Sequence, residues 1–313
     1  MLKPVIQRVL GTRTAASGIE VARLLTDGQR IIALEAAHLR PFRPSERDAL
    51  RDPARAPDLL DLAHAEAAAA LGPADLMGVE GASGALLAQA LGWPVVSDFS
   101  GADRRLGGLG HPIAAFFFHA LARHLGFDAP LAFLVLDRTA TMVWCDPRVP
   151  RPEDTCLAFD CGPGLPDAGP MGAADAELLD SFAGHEFFRR IPPKTFDPSA
   201  LPDPGALSPA DARATRAAMA AAGIALAFEH LPIPPARLVV TGAGRLDPSF
   251  MALIAAGLDL SPEPVEALGL DGIATGAQAV AHLAARVAHG LPTSAPGTTG
   301  VPAPVGGGTL DRP

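Results

Sequence analysis

Residues 157–164, LAFDCGPG, place one carboxylate, that of Asp160, inside an apolar run that ends in a Gly-Pro-Gly turn. Two further apolar runs precede it, LAFLVLD at 131–137 and ATMVWCD at 140–146. Short apolar runs bounded by turn residues are typical of buried strands, so the three segments predict a β-meander. A carboxylate within such a strand needs an explanation, because burial of a charge costs free energy unless the charge is paired.

The beginning of the chain carries the same arrangement of strands. PVIQRVL at 4–10 and IEVARLL at 19–25 read as strands on either side of a turn at 11–18, GTRTAASG. IIALEAAHL at 31–39 supplies a third strand. Because the pattern starts again near residue 130, the sequence predicts a duplicated fold.

Strands and helices alternate between the two predicted meanders. DLMGVEG at 75–81 and WPVVSDF at 93–99 read as short buried strands, and the alanine-rich segment 59–72 reads as a helix. We assign His64 and Glu66 of this helix to a solvent-facing side. The alternation predicts an α/β protein.

The composition narrows the classes of partner. The formal net charge is −9 at pH 7 and there is no stripe of Lys and Arg, which argues against a nucleic-acid partner. No run approaches the ~20 apolar residues that a membrane span requires. The three cysteines, an odd number without a CxxC pair, indicate neither a disulfide framework nor a zinc site. We therefore expect a cytoplasmic protein without a protein-bound metal site or a membrane anchor.

A glycine-containing turn follows another predicted strand, in RLVVTGAGRLDPSFMALI at 237–254. Asp247 is placed to cap the next helix, and Pro248 takes the first helical position. The small residues Gly242 and Gly244 leave room for a phosphate or nucleoside beside backbone N–H groups. A plain tight turn explains the same pattern, and a dinucleotide site would lack the third glycine of its fingerprint.

A second loop, SDFSGADRRLGGLGHP at 97–112, collects charged residues and glycines before a long predicted helix. Its carboxylates are those of Asp98 and Asp103. Converging charge and backbone freedom favour a ligand-binding loop. The alternative is a charged surface turn that ends with Pro112 at the helix N-terminus.

Six segments follow one another in an informative order: SDFSGADRRLGGLGHP (97–112), FDCGPG (159–164), HEFFRRIPPK (185–194), DARAT (211–215), LVVTGAGRLDPSFM (238–251) and LPTSAPGTTG (291–300). In this order they resemble the motifs of the anhydro-N-acetylmuramic acid kinase family. The resemblance spans nearly the whole chain, and FDCGPG is its most complete part.

The resemblance implies a two-domain sugar kinase fold of the actin and hexokinase type. Each domain would contain a ribonuclease-H-like mixed sheet flanked by helices, and ATP would bind in the cleft between the domains. We expect the domains at 1–125 and 126–292, with a helix at 274–290 that packs back on the first domain. A flexible tail is expected at 293–313.

The resemblance also implies an activity. Members of the family use ATP and Mg²⁺ to phosphorylate 1,6-anhydro-N-acetylmuramic acid while water opens the anhydro ring. The product is N-acetylmuramic acid 6-phosphate, in a step of peptidoglycan recycling. The partners implied are therefore an amino sugar and ATP, and the family implies a homodimer.

The same resemblance assigns site residues. In the family, the aspartate of the FDxGPG motif is the general base for the attacking water, and Asp160 matches it. The residues that match the substrate side of the cleft are Asp103, Gly107, Gly108, Gly110, Gly162, Gly164 and Lys194. The residues that match the sites of ATP and its phosphates are Thr12, Arg13, Thr14, Gly18, Gly242 and Gly244.

Several motifs depart from the family pattern. The first phosphate hairpin, roughly GxMSGTSxDG, appears as VLGTRTAASG at 9–18, with Arg13 for a glycine and Ser17 for the aspartate. The second phosphate motif, NIGGxxN, aligns with LVLDRTA at 134–140, with Asp137 and Arg138 in place of the glycines.

The substrate motifs depart as well. SHGQT is reduced to GVEGAS at 78–83, the asparagine after GPG is missing, and the stretch between Gly164 and Glu177 is short.

The changes in the phosphate motifs bear on ATP binding. Arg13 would either block a phosphate or replace a lost contact through its positive charge. Asp137 would repel ATP unless the positive charge of Arg138 offsets its negative charge. The second interpretation is therefore a pseudokinase that binds a sugar, a nucleotide or a protein without phosphoryl transfer.

Overall fold

The computed structural model describes residues 5–164, 169–200, 202 and 204–313. Its contacts divide the chain into two units, each built on one mixed β-sheet. The first unit takes the residues up to Phe127, then 271–296 and the residues from Val301 onward. The second unit takes 128–270 and 297–300. The division after Phe127 lies next to the boundary expected at 125/126.

The strands are β1 Gln7–Ala15, β2 Gly18–Thr26, β3 Ile31–Pro41, β4 Leu76–Glu80, β5 Val95–Ser97, β6 Leu131–Leu136, β7 Thr139–Cys145, β8 Leu157–Pro163, β9 Leu238–Thr241, β10 Pro262–Pro264 and β11 Thr309–Asp311. The α-helices are α1 Pro44–Ala49, α2 Ala56–Leu71, α3 Gly84–Leu91, α4 Gly101–Arg105, α5 Ala115–His124, α6 Ala176–Ala183, α7 Pro209–Ala227, α8 Pro248–Ala256, α9 Thr275–Ala288 and α10 Pro296–Thr299. Among the described residues, no helix is long and apolar enough to cross a membrane.

Apart from the edge strand β11, the two sheets share one topology. In the first unit the order is β11-β5-β4-β1-β2-β3, in which β1, β2 and β3 are antiparallel neighbours and β4 and β5 continue in parallel. In the second unit the order is β10-β9-β6-β7-β8, in which β6, β7 and β8 are antiparallel and β9 and β10 continue in parallel. The predicted α/β fold with a duplicated meander is confirmed.

Helices cover both faces of the first sheet. Side chains alternate between the faces of a strand. Leu10 of β1 packs in a core with α2 and α3, whereas its neighbour Val9 packs in a second core with α9. α9 approaches β1 so closely that a Cβ on Gly11 would overlap the carbonyl oxygen of Ala277. The helix expected at 274–290 therefore belongs to the first unit by its contacts.

One face of the second sheet packs against α7 and α8. Its core contains Met142 of β7, Phe159 of β8, Ile224 of α7 and Phe250 of α8, all fully buried. Because Phe159 points into this core, the next residue along β8, Asp160, points to the other face of the sheet. The fold thus sets the side of the sheet on which the carboxylate lies.

Two predictions about local structure are wrong. Residues 11–15 belong to β1 and not to a turn, because the pairing of β1 with β2 continues until Ala15 lies opposite Gly18. The residues from 293 onward are not a flexible tail. Ser294 forms a bridge with Val305, and β11 extends the first sheet by pairing with β5.

Candidate functional site

Asp160 lies at the end of the regular ladder between β8 and β7. The strands are antiparallel and Asp160 is directly opposite Thr141. The register then shifts, because Cys161 is inserted before Gly162, which lies opposite Ala140. Gly162 has a φ of 144°, which L side chains rarely adopt, so this position requires glycine. A β-bulge therefore follows the carboxylate immediately, and such bulges are common beside active sites.

Neighbouring groups hold both oxygens of the Asp160 carboxylate. The hydroxyl of Thr141 donates to Oδ1 at 2.8 Å, and the backbone N–H of Phe196 donates to Oδ2 at 3.0 Å. The backbone N–H of Asp160 donates to the carbonyl oxygen of Lys194 at 3.0 Å. The residue is 3% exposed. The segment 194–196 thus lies along the edge of β8 and fixes the carboxylate from one side.

Lys194 is a buried cation that binds its own chain. Its Nζ donates to the carbonyl oxygens of Phe187 at 3.0 Å and Phe188 at 3.3 Å, and lies 3.1 Å from Nε2 of His230. The ammonium also lies 4.7 Å from the centre of the Phe187 ring. Burial lowers the pKa of Lys194 to about 8. The side chain predicted to face the substrate is therefore engaged with the 3₁₀ helix Glu186–Arg189 and with His230.

The predicted phosphate turn packs against the hairpin between β6 and β7. Gly242 has a φ of 80°, and a Cβ there would lie 2.6 Å from the carbonyl oxygen of Leu136. A Cβ on Gly244 would lie 2.6 Å from the Leu136 side chain. The N–H of Ala243 donates to Oδ1 of Asp137 at 3.3 Å. A carboxylate of this chain thus accepts a hydrogen bond from a turn predicted to bind phosphate.

Gly164 and Asp247 have structural partners in the same unit. The N–H of Gly164 donates to the carbonyl oxygen of Arg138 at 3.0 Å. Asp247 caps α8 as predicted and forms an ion pair with Arg213 of α7, which joins the DARAT and LDPSF motifs. The position of the missing asparagine, 165, and part of the short stretch after it lie outside the described residues.

The residues predicted for the first phosphate hairpin lie in the other unit: Thr12, Arg13 and Thr14 on β1, and Gly18 at the start of β2. Oγ1 of Thr12 lies 2.8 Å from Nδ1 of His64, and Oγ1 of Thr14 lies 2.8 Å from Nε2 of the same ring. His64 is fully buried, which lowers its pKa to about 4. The assignment of His64 to a solvent-facing side is therefore wrong.

Arg13 makes a cross-strand ion pair. It lies opposite Glu20 on β2, and its Nη2 is 3.0 Å from Oε1 of that residue. The pair packs over Gly276 in the first turn of α9, where a Cβ would overlap the guanidinium. Gly18 pairs with Pro41 of β3. The guanidinium of Arg13 is therefore bound to a carboxylate of its own sheet.

Asp103 organises the glycine-rich loop that follows it. The side chain is buried, and its Oδ1 accepts a hydrogen bond from the N–H of Gly110 at 2.7 Å. A Cβ on Gly108 would overlap the same carboxylate. Gly107 and Gly110 have φ values of 90° and 72°. Asp103 thus stabilises this loop through a short contact with its backbone.

The structure groups the predicted site residues in four places, one of which is the loop around Asp103 described above. The second unit gathers Asp160 and Lys194 in one place, and Gly164 with the Gly242–Gly244 turn in another. The first unit gathers the β1 hairpin around His64, beside a pocket of about 400 Å³ that includes part of the GVEGAS segment. This pocket is lined by Pro53, Ala56, Pro57, Leu60, Asp61, Gly81, Ala82 and Ser83.

Three residues that contact the predicted site residues were not themselves predicted as part of the site. Thr141 binds Asp160, His230 contacts Lys194, and His64 bridges two threonines. Thr141 carried a usable signal, because it is a polar residue inside the apolar run ATMVWCD. The two histidines carried none, because their contacts join segments that are distant in sequence.

The chain is similar to known proteins along its whole length. A family model for anhydro-N-acetylmuramic acid kinase matches residues 167–310. The anhydro-N-acetylmuramic acid kinase of Cereibacter sphaeroides is 42% identical over 364 aligned positions, which cover 100% of this chain and 98% of the relative. The enzyme of the same name from Ruegeria sp. is 39% identical, and the alignment covers 98% of this chain and 95% of that relative. Both alignments are longer than this chain of 313 residues, so the relatives carry residues that it lacks.

The solved structures that match this chain are more distant from it. A ROK family glucokinase from Streptomyces griseus, in complex with glucose and AMPPNP, gives a TM-score of 0.42 at 14% identity, covering 88% of this chain and 99% of that one. An inorganic polyphosphate/ATP-glucomannokinase from Arthrobacter sp. gives 0.40 at 14% identity, covering 88% and 96%. Family membership depends on the full-length relatives above. On that evidence, the chain belongs to the anhydro-N-acetylmuramic acid kinase family.

Proposed function

We propose that this protein is a cytoplasmic sugar kinase that uses ATP to phosphorylate 1,6-anhydro-N-acetylmuramic acid in peptidoglycan recycling. The observation that supports the proposal is the similarity to anhydro-N-acetylmuramic acid kinases over the whole length of the chain. The FDCGPG segment adds a buried carboxylate, held in one orientation by hydrogen bonds from two sides. By the same relationship we propose a homodimer.

The proposed reaction couples ring opening to phosphoryl transfer. The oxygen of water bonds to the anomeric carbon, and the bond from that carbon to the bridging oxygen breaks. The bridging oxygen takes the γ-phosphoryl group of ATP, which leaves ADP and N-acetylmuramic acid 6-phosphate. Asp160 accepts the proton that water loses. A carboxylate suits this role because each oxygen has two lone pairs, so hydrogen bonds from Thr141 and Phe196 are compatible with a further one from water.

Magnesium is proposed to arrive with the nucleotide. Within the part of the chain that the structure describes, no three side chains of His, Cys, Asp or Glu gather in a way that could hold a metal ion. Mg²⁺ in kinases takes many of its ligands from phosphate oxygens and water, so a dedicated protein cage is not required. We therefore treat MgATP as the second substrate.

The proposal is tested by incubating the purified protein with ATP, Mg²⁺ and the anhydro sugar. We expect release of ADP with formation of the 6-phosphate, and a fall of about a hundredfold or more in Asp160→Asn. The matched control is Asp180→Asn on α6, which is exposed. Equal rates in the wild type and Asp160→Asn would contradict the assignment of the base.

The second candidate is a pseudokinase of the same family. The specific observations that favour it are the ion pair between Arg13 and Glu20 and the hydrogen bond from Ala243 to Asp137, both at predicted phosphate contacts. This candidate predicts no ADP from the wild type, together with heat of binding when the anhydro sugar is titrated into the protein. Turnover by the wild type rules it out.

A further inference from the structure

Thr141 is a buried polar side chain within a strand that is otherwise apolar around it. Its neighbours along β7 are Ala140, Met142 and Val143, all buried, and Thr141 itself is 6% exposed. A hydroxyl at such a position costs free energy unless it forms a hydrogen bond. Valine has nearly the same shape and high β-propensity, so packing alone does not require threonine here.

The register of the ladder brings this hydroxyl to Asp160. Residues that lie directly opposite each other in an antiparallel pair have their side chains on the same face, with Cβ atoms close together. Thr141 and Asp160 occupy such a pair, immediately before the bulge at Cys161. The distance of 2.8 Å from Oγ1 to Oδ1 is that of a good hydrogen bond between a hydroxyl and a carboxylate.

Two donors on different elements contribute to the orientation of the Asp160 carboxylate. Thr141 on β7 holds Oδ1, and the N–H of Phe196 holds Oδ2. Loss of the Thr141 hydroxyl would remove the hydrogen bond from β7 to Oδ1, and we expect the carboxylate to rotate about its Cβ–Cγ bond. A general base must present a lone pair at a defined position, so this rotation affects the rate of proton transfer.

We infer that Thr141 is a positioning residue for Asp160 in the proposed ring-opening reaction. It touches neither water nor sugar in this role, and it acts through the orientation of the carboxylate. The inference rests on the proposed function for its kinetic consequence. The contact itself is a property of β7 and β8 and is measurable without turnover.

The test uses Thr141→Val, which removes the hydroxyl and keeps the shape, and Thr141→Ser, which keeps the hydroxyl. We expect Thr141→Val to lower kcat about tenfold to a hundredfold, with KM for ATP and for the anhydro sugar within about twofold of the wild type. Thr141→Ser should remain within about threefold of the wild-type kcat. A merely structural role would not lower kcat while leaving KM unchanged in Thr141→Val, and it would not explain the retained kcat of Thr141→Ser.

Crystal structures of the three proteins supply a readout that does not depend on activity. We expect the wild type and Thr141→Ser to keep the contact from Oγ to Oδ1, and Thr141→Val to show the Asp160 carboxylate in a different rotamer. An unchanged carboxylate in Thr141→Val, or an equal kcat in an active wild type and Thr141→Val, overturns the inference. If the wild type releases no ADP, the proposed function fails, and the rotamer of Asp160 still decides whether Thr141 orients it.

Discussion

Asp137 places a negative charge beside the turn where the phosphates of ATP are expected. It accepts a hydrogen bond from the N–H of Ala243, so the charge lies against the backbone of this turn. Like charges a few ångströms apart at a protein surface repel each other, and salt screens this repulsion only in part. Affinity for ATP should therefore increase when this charge is removed.

The corresponding prediction concerns Asp137→Asn, which keeps an oxygen that can accept the Ala243 hydrogen bond and removes the charge. We expect the Kd for MgATP to fall about threefold to tenfold at low ionic strength, with a smaller change at high salt. Isothermal titration calorimetry measures both values. Asp180→Asn serves again as control, and an unchanged or weaker affinity in Asp137→Asn would contradict repulsion.

At this scale the sequence predicts a central carboxylate, that of Asp160, but not the residues that contact it. Asp160 could be predicted because the FDCGPG segment is local and nearly complete. Thr141, His230 and His64 approach their partners through pairing between strands or packing between elements, which local sequence does not encode. Lys194 was predicted as a cleft residue, and its side chain binds carbonyl groups of its own unit.

Among the secondary structure elements, α9 shows how closely a helix packs when the residues between it and a strand are small. β1 contributes Gly11 and β4 contributes Gly78, and a Cβ on either would collide with the backbone of α9. Gly78 would meet the carbonyl oxygen of Val280 at 2.7 Å. The separation between this helix and its sheet is therefore set by glycine.

We predict that Gly11→Ala destabilises the first unit, because α9 must move away from β1 to admit a methyl group. The free energy of unfolding should fall by about 1 to 3 kcal/mol, as in other overpacked cores. The matched control is Gly257→Ala at the end of α8, where φ is −91° and a Cβ meets its nearest atom at 3.7 Å. Urea denaturation compares the variants, and equal loss in both would show that close packing is not the cause.

The order of elements was predictable because apolar runs and glycine-rich turns alternate along the chain. The length of β1 was not predictable from the sequence. Gly11, Thr12 and Thr14 have the composition of a turn, yet the ladder with β2 extends through them. Pairing with a neighbouring strand overrides local preference, and β-propensity depends on that context. The strand β11 was missed for the same reason, since it is stabilised by β5.

For the molecule as a whole, two buried histidines make stability depend on pH. Burial lowers the pKa of His64 to about 4 and that of His282 to about 3, both in the first unit. In the unfolded chain a histidine has a pKa near 6.5. Below pH 6.5 the unfolded chain therefore binds protons that the folded unit does not. The stabilisation is fully present above pH 6.5 and decreases as the pH falls toward these lowered values.

We predict that the free energy of unfolding falls by roughly 2 kcal/mol per histidine between pH 6.5 and 4.5. Each unit contains one tryptophan, Trp93 or Trp144, so Trp144→Phe leaves a fluorescent probe of the first unit alone. In this background, urea denaturation at the two pH values is compared with and without His64→Gln. The variant should show the weaker pH dependence. Identical dependence in both would contradict the role of His64.

The late position of α9 in the sequence also has a consequence for folding during synthesis on the ribosome. The strands of the first sheet end at Ser97 apart from the short β11, but the helix that covers one of its apolar faces ends at Ala288, after residues 128–270 of the second unit. At 5 to 20 residues per second, roughly 10 to 40 seconds separate the two. Val9, Leu24 and Val96 remain uncovered by α9 during this time. We therefore expect the nascent chain to expose this apolar face until its last long helix emerges.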